Sequence, residues 1–524
     1  MPSLTISEPA LVRLNDLSPI ALERARKYLT FEDGGVAYLL SKHRKNFRWK
    51  RNDPEGWEAH KEELDSKRKR CILFQDGQGF YTYSGLADEL SQALVCGAPV
   101  ERFLAAPEPL GMAWEHEPEH EARYYQDGAE KALLEAMHGA ISMGTGLGKS
   151  RILLDLTHHL GLRTLIVAPS ASILTQLVKD FERALGKRHV GQYGDGKKKF
   201  DRQVTIATFQ SLTRLEPGDE AWEVLSKCEV FMVDESHMCP ASTLEKVCIG
   251  VARNAKYRFF VSATQVRGDG SAIVLRGIIG RVVYTMNVAD GVDQGFLAKP
   301  HFKMIRVPSQ DAEGNWERFE SLDIMKMTRK HHYYNPRIIE KAAKMANMAV
   351  QHLKHKVLIQ VEEIGQFKEL LRHLEFEPRF AHGAAPSDPD LRAKLPEKYW
   401  KSDPAALAEA FNNEEFPILV GTSCIGVGTD IKVPETIINL MGGCSPVGIP
   451  QAVGRGTRRH VFKDGHKKSQ FNFIDFVPML RTRSFDDTPE TQDESVEAAA
   501  SPMFRHGLVR AKMYKDLYNN VRWA

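Results

Sequence analysis

A glycine-rich turn between an apolar run and a helical pattern constrains this chain more than any other feature of its sequence. Residues 141–150 read Ile-Ser-Met-Gly-Thr-Gly-Leu-Gly-Lys-Ser, and apolar residues with helical spacing follow from Ile152 to Leu160. The glycines let several backbone N–H groups turn toward one anion, and the following helix adds the positive end of its dipole. We therefore predict a phosphate-binding loop between a strand and a helix of an α/β fold.

Individual residues of this loop have separate predicted roles. Lys149 is expected to reach the β and γ phosphates of a nucleotide, and Ser150 is expected to help hold Mg²⁺. The strict pattern has glycine where this chain has Met143, so a tight loop without a nucleotide is the alternative. The predicted nucleotide contacts in the loop are Gly144, Thr145, Gly146, Leu147, Gly148, Lys149 and Ser150.

Length and composition describe an ordinary globular protein. The chain has 524 residues, of which 42% are hydrophobic and 27% charged, so it should divide into about three domains. Its net charge of +3 says little, and a nucleic-acid surface must come from local clusters of basic residues. The seven scattered cysteines include no CxxC pair, which argues against a zinc site or a disulfide framework. With no long apolar run and no signal-peptide core, we predict a cytoplasmic protein without a membrane partner.

Residues 1 to about 115 carry no nucleotide signal and predict a separate small α+β unit. Basic and aromatic residues are interleaved in Lys42–Arg51, as expected where phosphates are neutralised and a base or sugar packs against a ring. A solvated basic face is the alternative. The predicted nucleic-acid contacts are Arg44, Lys45, Arg48, Lys50 and Arg51, with Phe47 or Trp49 packing beside the backbone.

Turn signals organise the rest of this N-terminal region. Asp76–Gly79, between two apolar and aromatic runs, predicts a β-hairpin. Ser84 is predicted to cap a helix over Leu86–Leu94. Prolines at positions 107, 109 and 118 indicate a linker to the next domain.

From about residue 120, strands alternate with helices, which predicts a parallel sheet with right-handed crossovers. Tyr125 and Gln126 could pack on and hydrogen-bond an adenine, although an aromatic residue that opens a helix is more often part of the core. Strands are predicted over Thr164–Pro169 and from Val204 onward, and Lys197–Lys199 adds a small basic patch between them.

Two adjacent carboxylates follow a hydrophobic strand at Val230–Val233. At the carboxyl end of that strand, Asp234 can hold Mg²⁺ and Glu235 can orient and deprotonate an attacking water molecule. An ordinary strand-end turn is the alternative, although the position about 85 residues after a phosphate loop disfavours it. Ser262 and Thr264 end the next predicted strand, where their hydroxyls are suited to bonding the acidic motif across adjacent strands.

These blocks, in this order, resemble superfamily 2 helicases, with Asp234–His237 as a DExH-type box. Arg267–Gly270, Val282–Tyr284 and Gly295–Pro300 are similar to the branch that holds XPB, RadD and the phage UvsW-type DNA helicases, although Gln265 replaces the usual proline. The resemblance covers about residues 120–520, and it implies ATP and Mg²⁺ as cofactors, DNA as the partner and a catalytic role for His237. It also implies nucleic-acid contacts at Pro169, Thr208, Gln210, Arg267, His382 and Thr422.

A second α/β half is predicted after a mixed-charge connector. Its strands are expected at 356–360, 380–383, 417–422 and 471–476, and it has no second phosphate loop. Residues 505–514 resemble the closing helix of UvsW-type proteins. His331 and His332 in the connector are a weak metal candidate, because neighbours in a strand point to opposite sides.

Two further blocks of this half resemble helicase motifs V and VI. In Gly426–Asp430, the resemblance implies that Asp430 contacts sugar hydroxyls or fixes a neighbouring loop. In Gln451–Arg459, it implies that Arg455 and Arg458 serve the γ-phosphate as arginine fingers, with Gln451 in the same catalytic set. The two arginines share one face if the segment is helical. Surface ion pairs are the alternative for these arginines.

The predicted fold class is α/β, with two RecA-like parallel-sheet lobes in tandem and a small α+β N-terminal domain. The predicted boundaries are 1–115 for DNA recognition, 116–300 for the ATP-binding lobe, 301–340 for the connector and 341–524 for the second lobe. The implied function is an ATP-dependent DNA helicase or translocase on branched or duplex DNA, with repair or replication proteins as further partners, in a bacterial or phage-infected cytoplasm. An RNA helicase, or an ATP-switched remodeller that binds duplex without separating strands, is the alternative.

Overall fold

The computed structural model of the protein has two compact units. The first contains residues 1–144 and 148–286, and the second contains residues 145–147 and 287–524. The residues described, apart from the side chains of Arg48 and Asp390, are 2–44, 46–94, 98–118, 121–262, 272–310, 314, 323–425, 431–445, 448–480, 501–518 and 521–524. Within these ranges, no helix has the length and the apolar character that a membrane span requires.

The N-terminal part of the first unit is a mixed sheet with short helices. Its elements are β1 (Ser3–Glu8), β2 (Leu11–Asn15), α1 (Pro19–Tyr28), β3 (Thr30–Glu32), α2 (Gly34–Arg44), α3 (Phe47–Asn52), α4 (Pro54–Ser66), β4 (Lys69–Cys71), β5 (Phe74–Asp76), β6 (Gly79–Tyr83), α5 (Ala87–Leu94) and β7 (Val100–Arg102). The strand order is β5-β6-β2-β1-β7, and β3 pairs separately with β4. In β1, Leu4 and Ile6 are buried while their neighbours are not, as expected of a strand with one face on a core.

The hairpin predicted at Asp76–Gly79 is confirmed, because β5 pairs with β6 in antiparallel register across that turn. The predicted cap at Ser84 is wrong. The Ser84 hydroxyl donates instead to the carbonyl oxygen of Pro9 at 2.7 Å, and a 3₁₀ turn over Ser84–Leu86 precedes α5. The hydroxyl therefore ties two segments that are distant in sequence, a contact that local helix-start signals do not report.

The rest of the first unit is built on a larger sheet, and the predicted alternation of strands and helices is confirmed there. The elements are α6 (Tyr124–Ala136), β8 (His138–Met143), α7 (Lys149–Leu160), β9 (Thr164–Ala168), α8 (Ala171–Leu185), β10 (Val190–Gly194), β11 (Lys197–Lys199), β12 (Val204–Thr208), α9 (Phe209–Leu212), α10 (Glu220–Leu225), β13 (Val230–Asp234), α11 (Ala241–Ile249), β14 (Tyr257–Ser262), α12 (Ala272–Ile279) and β15 (Val282–Met286). The strand order is β11-β10-β12-β9-β13-β14-β8-β15, and the pairs are parallel except β10 with β11. The carboxyl ends of β8, β14 and β13 therefore meet at one edge of the sheet.

The second unit contains a second parallel sheet, as predicted for a RecA-like pair. Its elements are α13 (Val288–Asp293), β16 (Lys299–Pro308), α14 (Ile324–Thr328), α15 (Pro336–Leu353), β17 (Val357–Gln360), α16 (Ile364–Leu370), β18 (Arg379–Ala381), α17 (Pro389–Lys394), α18 (Pro404–Asn412), β19 (Ile418–Gly421), β20 (Thr436–Asn439), α19 (Gly448–Gly454), β21 (His460–Val461), β22 (Lys467–Lys468), β23 (Gln470–Met479), α20 (Pro502–Tyr518) and β24 (Val521–Trp523). The strand order is β18-β19-β17-β20-β23-β16-β24, and β21 pairs with β22.

Strand β16 lies inside the stretch that the sequence analysis assigned mostly to a connector. It pairs over its whole length with β23. Charged Lys303 alternates with buried Phe302 and Met304, a period-two pattern that favours a strand and that the sequence analysis overlooked.

The histidine pair of the predicted connector lies in a π-helical turn, Arg329–Tyr333, so the strand geometry expected for it is wrong. His331 Nδ1 lies 2.8 Å from Ser309 Oγ. Burial, with the nearby charge of Arg510, lowers the pKa of His332 to about 3. Both histidines are buried, which favours a structural role over the weak metal hypothesis.

A buried ion pair fixes helix α20 to strand β23. The guanidinium of Arg510 donates to the Asp475 carboxylate at 2.7 Å and to the carbonyl oxygens of Gly443 and Phe476 at 2.7 and 2.9 Å. The Tyr514 hydroxyl donates to the same carboxylate at 2.8 Å. Since Asp475 has no exposed surface, this carboxylate depends on these partners for its charge.

Replacing Arg510 with methionine should lower the free energy of unfolding of the second unit by about 3–5 kcal/mol, because the Asp475 carboxylate loses its counter-charge. Urea denaturation followed by circular dichroism measures this loss. The matched control is Arg372→Met, which removes an exposed ion pair with Glu369 and should change stability by less than about 1 kcal/mol. Equal losses in both variants would contradict the role assigned to the buried pair.

Candidate active site

The glycine-rich loop joins β8 to α7, as the sequence predicts. Gly146 and Gly148 have φ values of +88° and +81°, a region that favours glycine. A Cβ atom on Gly148 would lie 2.3 Å from the side-chain nitrogen of Gln126, so glycine is also needed there for space. Lys149 and Ser150 follow as the first two residues of α7, where backbone N–H groups have no partner within the helix.

Lys149 is buried, and its ammonium group contacts the acidic motif. Its Nζ lies 3.2 Å from Glu235 Oε1 and donates to the carbonyl oxygen of Met143 at 3.4 Å. Only 8% of the lysine surface is exposed. The two motifs that the sequence placed about 85 residues apart are therefore in direct contact.

Asp234 ends β13, and Glu235 begins the turn after it. Glu235 has φ of +46°, an uncommon conformation for a residue with a side chain. Its backbone N–H donates to Asp234 Oδ1 at 2.9 Å. This turn directs the two neighbouring carboxylates to different partners.

His237 connects Glu235 to the end of the next strand. Its Nδ1 lies 3.2 Å from Glu235 Oε2 and 2.6 Å from Ser262 Oγ. The predicted bond between a strand-end hydroxyl and the acidic motif is therefore confirmed for Ser262, whereas Thr264 lies outside the described residues. Lys149, Glu235, His237 and Ser262 form a continuous polar chain, which we call the catalytic chain.

The two carboxyl groups have opposite pKa shifts. Burial, and then the charge of Glu235, raises the pKa of Asp234 to about 7. Burial acts in the same direction on Glu235, but Lys149 and His237 outweigh it and lower the pKa of Glu235. Glu235 is thus held as a carboxylate, while Asp234 is a buried acid whose charge needs a further cation.

Asp234 and Ser150 carry the oxygen atoms that the predicted Mg²⁺ site requires. Mg²⁺ prefers oxygen ligands and often takes only one or two from the protein, with the rest from phosphates and water. Among the described residues, no cluster of three or more His, Cys, Asp or Glu side chains is arranged to hold a metal.

The two residues of α6 that were predicted to contact the nucleotide, Tyr125 and Gln126, lie in different environments. Gln126 contacts the loop, with its Nε2 at 3.5 Å from the carbonyl oxygen of Gly148. Tyr125 has no exposed surface, and its hydroxyl accepts from Arg123 at 2.8 Å. The packing role predicted for Tyr125 therefore does not fit, because its ring faces lie in the core. The neighbouring Tyr124, which the sequence analysis did not choose, is 60% exposed.

The arginines of the motif VI block follow α19 and do not lie within it. The helix ends at Gly454, so the helical segment on which a shared face of Arg455 and Arg458 depended is not present there. Arg455 is buried, and burial lowers the pKa of Arg458 to about 10. Gln451 is on α19 and is half-buried. The roles of these three residues toward a γ-phosphate stay predictions.

The predicted nucleic-acid contacts fall into distinct environments. Pro169 follows β9, while Thr208 ends β12 and caps α9, on which Gln210 is exposed. Thr422 follows β19 and is half-buried. His382 is 1% exposed with Nε2 at 2.9 Å from the carbonyl oxygen of Tyr399, so its ring is not accessible to nucleic acid. Lys45, Arg267, Asp430 and the Arg48 side chain lie outside the described residues.

The basic run is divided between α2 and α3, and its two aromatic residues, Phe47 and Trp49, differ in exposure. Trp49 packs between His43 and His60, with ring centroids at 5.1 and 5.2 Å. Phe47 is 72% exposed. Of the two aromatic candidates, Phe47 is therefore the one with a free ring surface.

Basic side chains surround Trp57 at the same place. Lys50 Nζ and Lys61 Nζ lie 4.7 and 5.7 Å from the Trp57 ring centroid. A hydrogen bond to Glu58 raises the pKa of Lys61, and the nearby charge of Arg44 opposes this rise. We call the exposed surface of Arg44, Lys50, Arg51 and Lys61 the basic face. The sequence analysis missed Lys61, although its spacing of four residues from Trp57 on a helix was a usable signal.

Comparison with known proteins gives partial matches. A family model described as "Type III restriction enzyme, res subunit" matches residues 119–267. The "DNA 3'-5' translocase XPB2" of Sulfurisphaera tokodaii is 28% identical over 194 residues, which cover 37% of this chain and 42% of the relative. The "DNA 3'-5' helicase XPB" of Mycobacterium tuberculosis is 25% identical over 203 residues, which cover 38% of this chain and 36% of the relative. The chain thus spans less than half the length of these two relatives.

A solved structure is similar over the whole chain. The match to the crystal structure of T4 UvsW covers 100% of this chain and 98% of that chain, with 16% identity and a TM-score of 0.41.

Replacing Asp234 with asparagine should stabilise the protein more at pH 8 than at pH 5, by about 2–3 kcal/mol, because the cost of the buried charge builds up between the unfolded and the folded pKa of Asp234. The sign follows from the raised pKa of Asp234, from 3.8 to about 7. Below the unfolded value the group is protonated in both states, and above pH 7 the folded state must bury its charge. Thermal unfolding in EDTA at both pH values measures the difference. The exposed control Asp201→Asn should show no such pH dependence. If Asp234→Asn also shows none, the raised pKa of Asp234 is contradicted.

Proposed function

We propose that the chain is a superfamily 2 helicase or translocase that uses ATP and acts on branched or duplex DNA. The observation that carries the proposal is the catalytic chain, in which a phosphate-loop lysine contacts a buried carboxylate beside a histidine and a strand-end serine. This arrangement supplies a cation for phosphates and a base for water at one sheet edge.

In the proposed reaction, each residue of the catalytic chain has a separate task. The loop N–H groups and Lys149 bind the β and γ phosphates of ATP. Glu235 orients and deprotonates the attacking water, and His237 holds the carboxylate in place from the Ser262 side. Ser150 and Asp234 would hold Mg²⁺, whose positive charge would offset the charge of the phosphates.

The second unit is proposed as the catalytic partner. Arg455 and Arg458, with Gln451, would stabilise charge that develops on the γ-phosphate, and Asp430 would support a neighbouring loop or a sugar hydroxyl. Opening and closing of two such units on nucleotide is a recognised way to convert hydrolysis into motion. These roles rest on the resemblance to motifs V and VI.

DNA is favoured over RNA as the partner. Both relatives quoted above are named as DNA translocases or helicases. The basic face offers phosphate contacts of either kind, and exposed Phe47 offers a ring for an unpaired base. An RNA helicase and a duplex-binding remodeller are the competing functions. Work with repair or replication proteins in a bacterial or phage-infected cytoplasm is part of the proposal.

Forked DNA should stimulate ATP hydrolysis by the wild-type protein, and Glu235→Gln should lower that turnover by about 100-fold or more, because the water loses its base. The same variant should still bind a fluorescent ATP analogue. Lys149→Ala should weaken analogue binding, since the phosphates lose their cation.

The same assay tests the choice of nucleic acid. Matched single-stranded DNA, forked DNA and RNA are compared for stimulation, and strand separation is then measured on the stimulating substrate. Near-normal turnover by Glu235→Gln would contradict the role of Glu235 as the base that activates water. If only RNA stimulates hydrolysis, the partner is RNA and not DNA.

Alanine substitution of Arg44, Lys50 and Arg51 together should weaken binding to all DNA sequences about equally. If phosphate contacts dominate, the dependence of log affinity on log salt should flatten by roughly 0.7–0.9 per lost contact. Basal hydrolysis without DNA should persist, because the catalytic chain is untouched. Fluorescence anisotropy over a salt series gives the slope.

The matched control replaces three exposed lysines of the second unit, Lys341, Lys344 and Lys354. It should leave affinity and slope near the wild-type values. If the basic-face variant does the same, the basic run is a solvated face and the nucleic-acid surface lies elsewhere.

A further inference from the structure

Two glycines meet where the N-terminal sheet rests on the larger sheet of the first unit. A Cβ atom on Gly85 would lie 2.5 Å from the carbonyl oxygen of Gly277 and 2.6 Å from that of Arg276. A Cβ atom on Gly277 would lie 2.8 Å from Tyr83 Cδ2. Glycine is needed at both positions for close approach, so this contact leaves no space for sliding or for side-chain repacking.

A nearly buried carboxylate closes the same contact. Glu245, on α11, accepts hydrogen bonds from Arg70 at 2.5 and 2.8 Å and from the hydroxyl of Tyr83. Glu245 is 9% exposed. The Glu245 side chain is 12% exposed and that of Arg70 is 37% exposed, so the ion pair is partly buried, and the Tyr83 hydroxyl adds a second bond to α11.

Apolar packing makes the contact continuous with the core. Leu86 and Leu90 of the N-terminal part belong to the same buried cluster as Ile273 and Ile278 of α12. Two outer ion pairs, Glu8 with Arg253 and Glu89 with Arg276, add further links. The N-terminal sheet is therefore attached through a packed and charged interface within the first unit.

The position of this contact along the chain links the basic face to the acidic motif. Helices α2–α4 are inserted between β3 and β4, and Arg70 lies on β4 directly after that insertion. Its partner Glu245 lies on α11, which begins four residues after His237. The route from the basic face to the catalytic chain thus consists of one strand, one ion pair, the first half of one helix and the turn that joins this helix to His237.

We propose that Tyr83, Gly85, Glu245 and Gly277, with Arg70, form a rigid joint that makes nucleic acid held by the basic face move with the ATP-binding sheet. These residues are positioning residues, since none of them contacts the catalytic chain. The inference rests on the proposed function. It adds that the N-terminal region transmits force and is not only an anchor on DNA.

The experiment uses the full chain and a DNA triplex, whose third strand is displaced by translocation with or without duplex unwinding. Arg70→Glu places two carboxylates together in the joint and should lower the number of displacements per ATP about tenfold. Affinity for forked DNA and hydrolysis without DNA should stay within about twofold of wild type, because the basic face and the catalytic chain are intact. The double variant Arg70→Glu/Glu245→Arg restores opposite charges and should recover most of the displacement per ATP.

Arg68→Glu is the matched control. Arg68 lies two residues before Arg70, and its ion pair with Glu32 at 3.1 Å is exposed and stays inside the N-terminal region. This variant should displace strands as wild type does. If Arg70→Glu proves unstable in thermal unfolding, Tyr83→Phe is used in its place. This variant removes only the hydrogen bond of the hydroxyl group and should lower the number of displacements per ATP by a smaller factor.

Three outcomes are informative. Wild-type displacement per ATP in Arg70→Glu, or in Tyr83→Phe where the first is unstable, would overturn the joint. A loss of DNA affinity equal to the loss of displacement would also overturn it, since the grip and not the transmission would then be affected. Absence of DNA-stimulated hydrolysis in the wild type would instead overturn the proposed function, and with it the premise of the joint.

Discussion

Burial of two adjacent carboxylates at one edge of a parallel sheet is the constraint on which the candidate site depends. An isolated buried carboxylate is strongly unfavourable, so Glu235 needs the ammonium group of Lys149 at 3.2 Å. That contact requires β8 and β13 in one sheet with only β14 between them, as the strand order provides. It also requires a loop that brings α7 to this edge, where Gly148 has no space for a side chain. The sheet order and the glycine-rich loop together bring Lys149 to Glu235.

Features set by local pattern were predictable from the sequence. Alternation of apolar strands and helices gave both parallel sheets, and turn residues gave the hairpin at Asp76–Gly79. The contact between the loop and the acidic motif was also predictable, because the carboxyl ends of neighbouring parallel strands meet at one edge. The bond from Ser262 to His237 follows from the same rule.

Features set by tertiary packing were not predictable in this way. Tyr125 and His382 are polar aromatic residues at plausible positions, but both are buried, and no local pattern distinguishes a buried ring from an exposed one. The choice between Phe47 and Trp49 likewise depends on how α3 packs against His43 and His60. The approach of Gly85 to Gly277 joins residues nearly two hundred positions apart, which periodicity cannot report.

The ion pair between Lys149 and Glu235 has a consequence for the proposed reaction. Lys149 and His237 lower the pKa of Glu235, and a carboxylate with a low pKa is a poor acceptor for a proton from water. In the proposed reaction, Lys149 turns to the phosphates when the nucleotide binds. Glu235 then loses its main counter-charge, its pKa rises, and it becomes a better base. In the proposed reaction, the lysine that pairs with Glu235 would therefore also keep this carboxylate a weak base until the phosphates are bound.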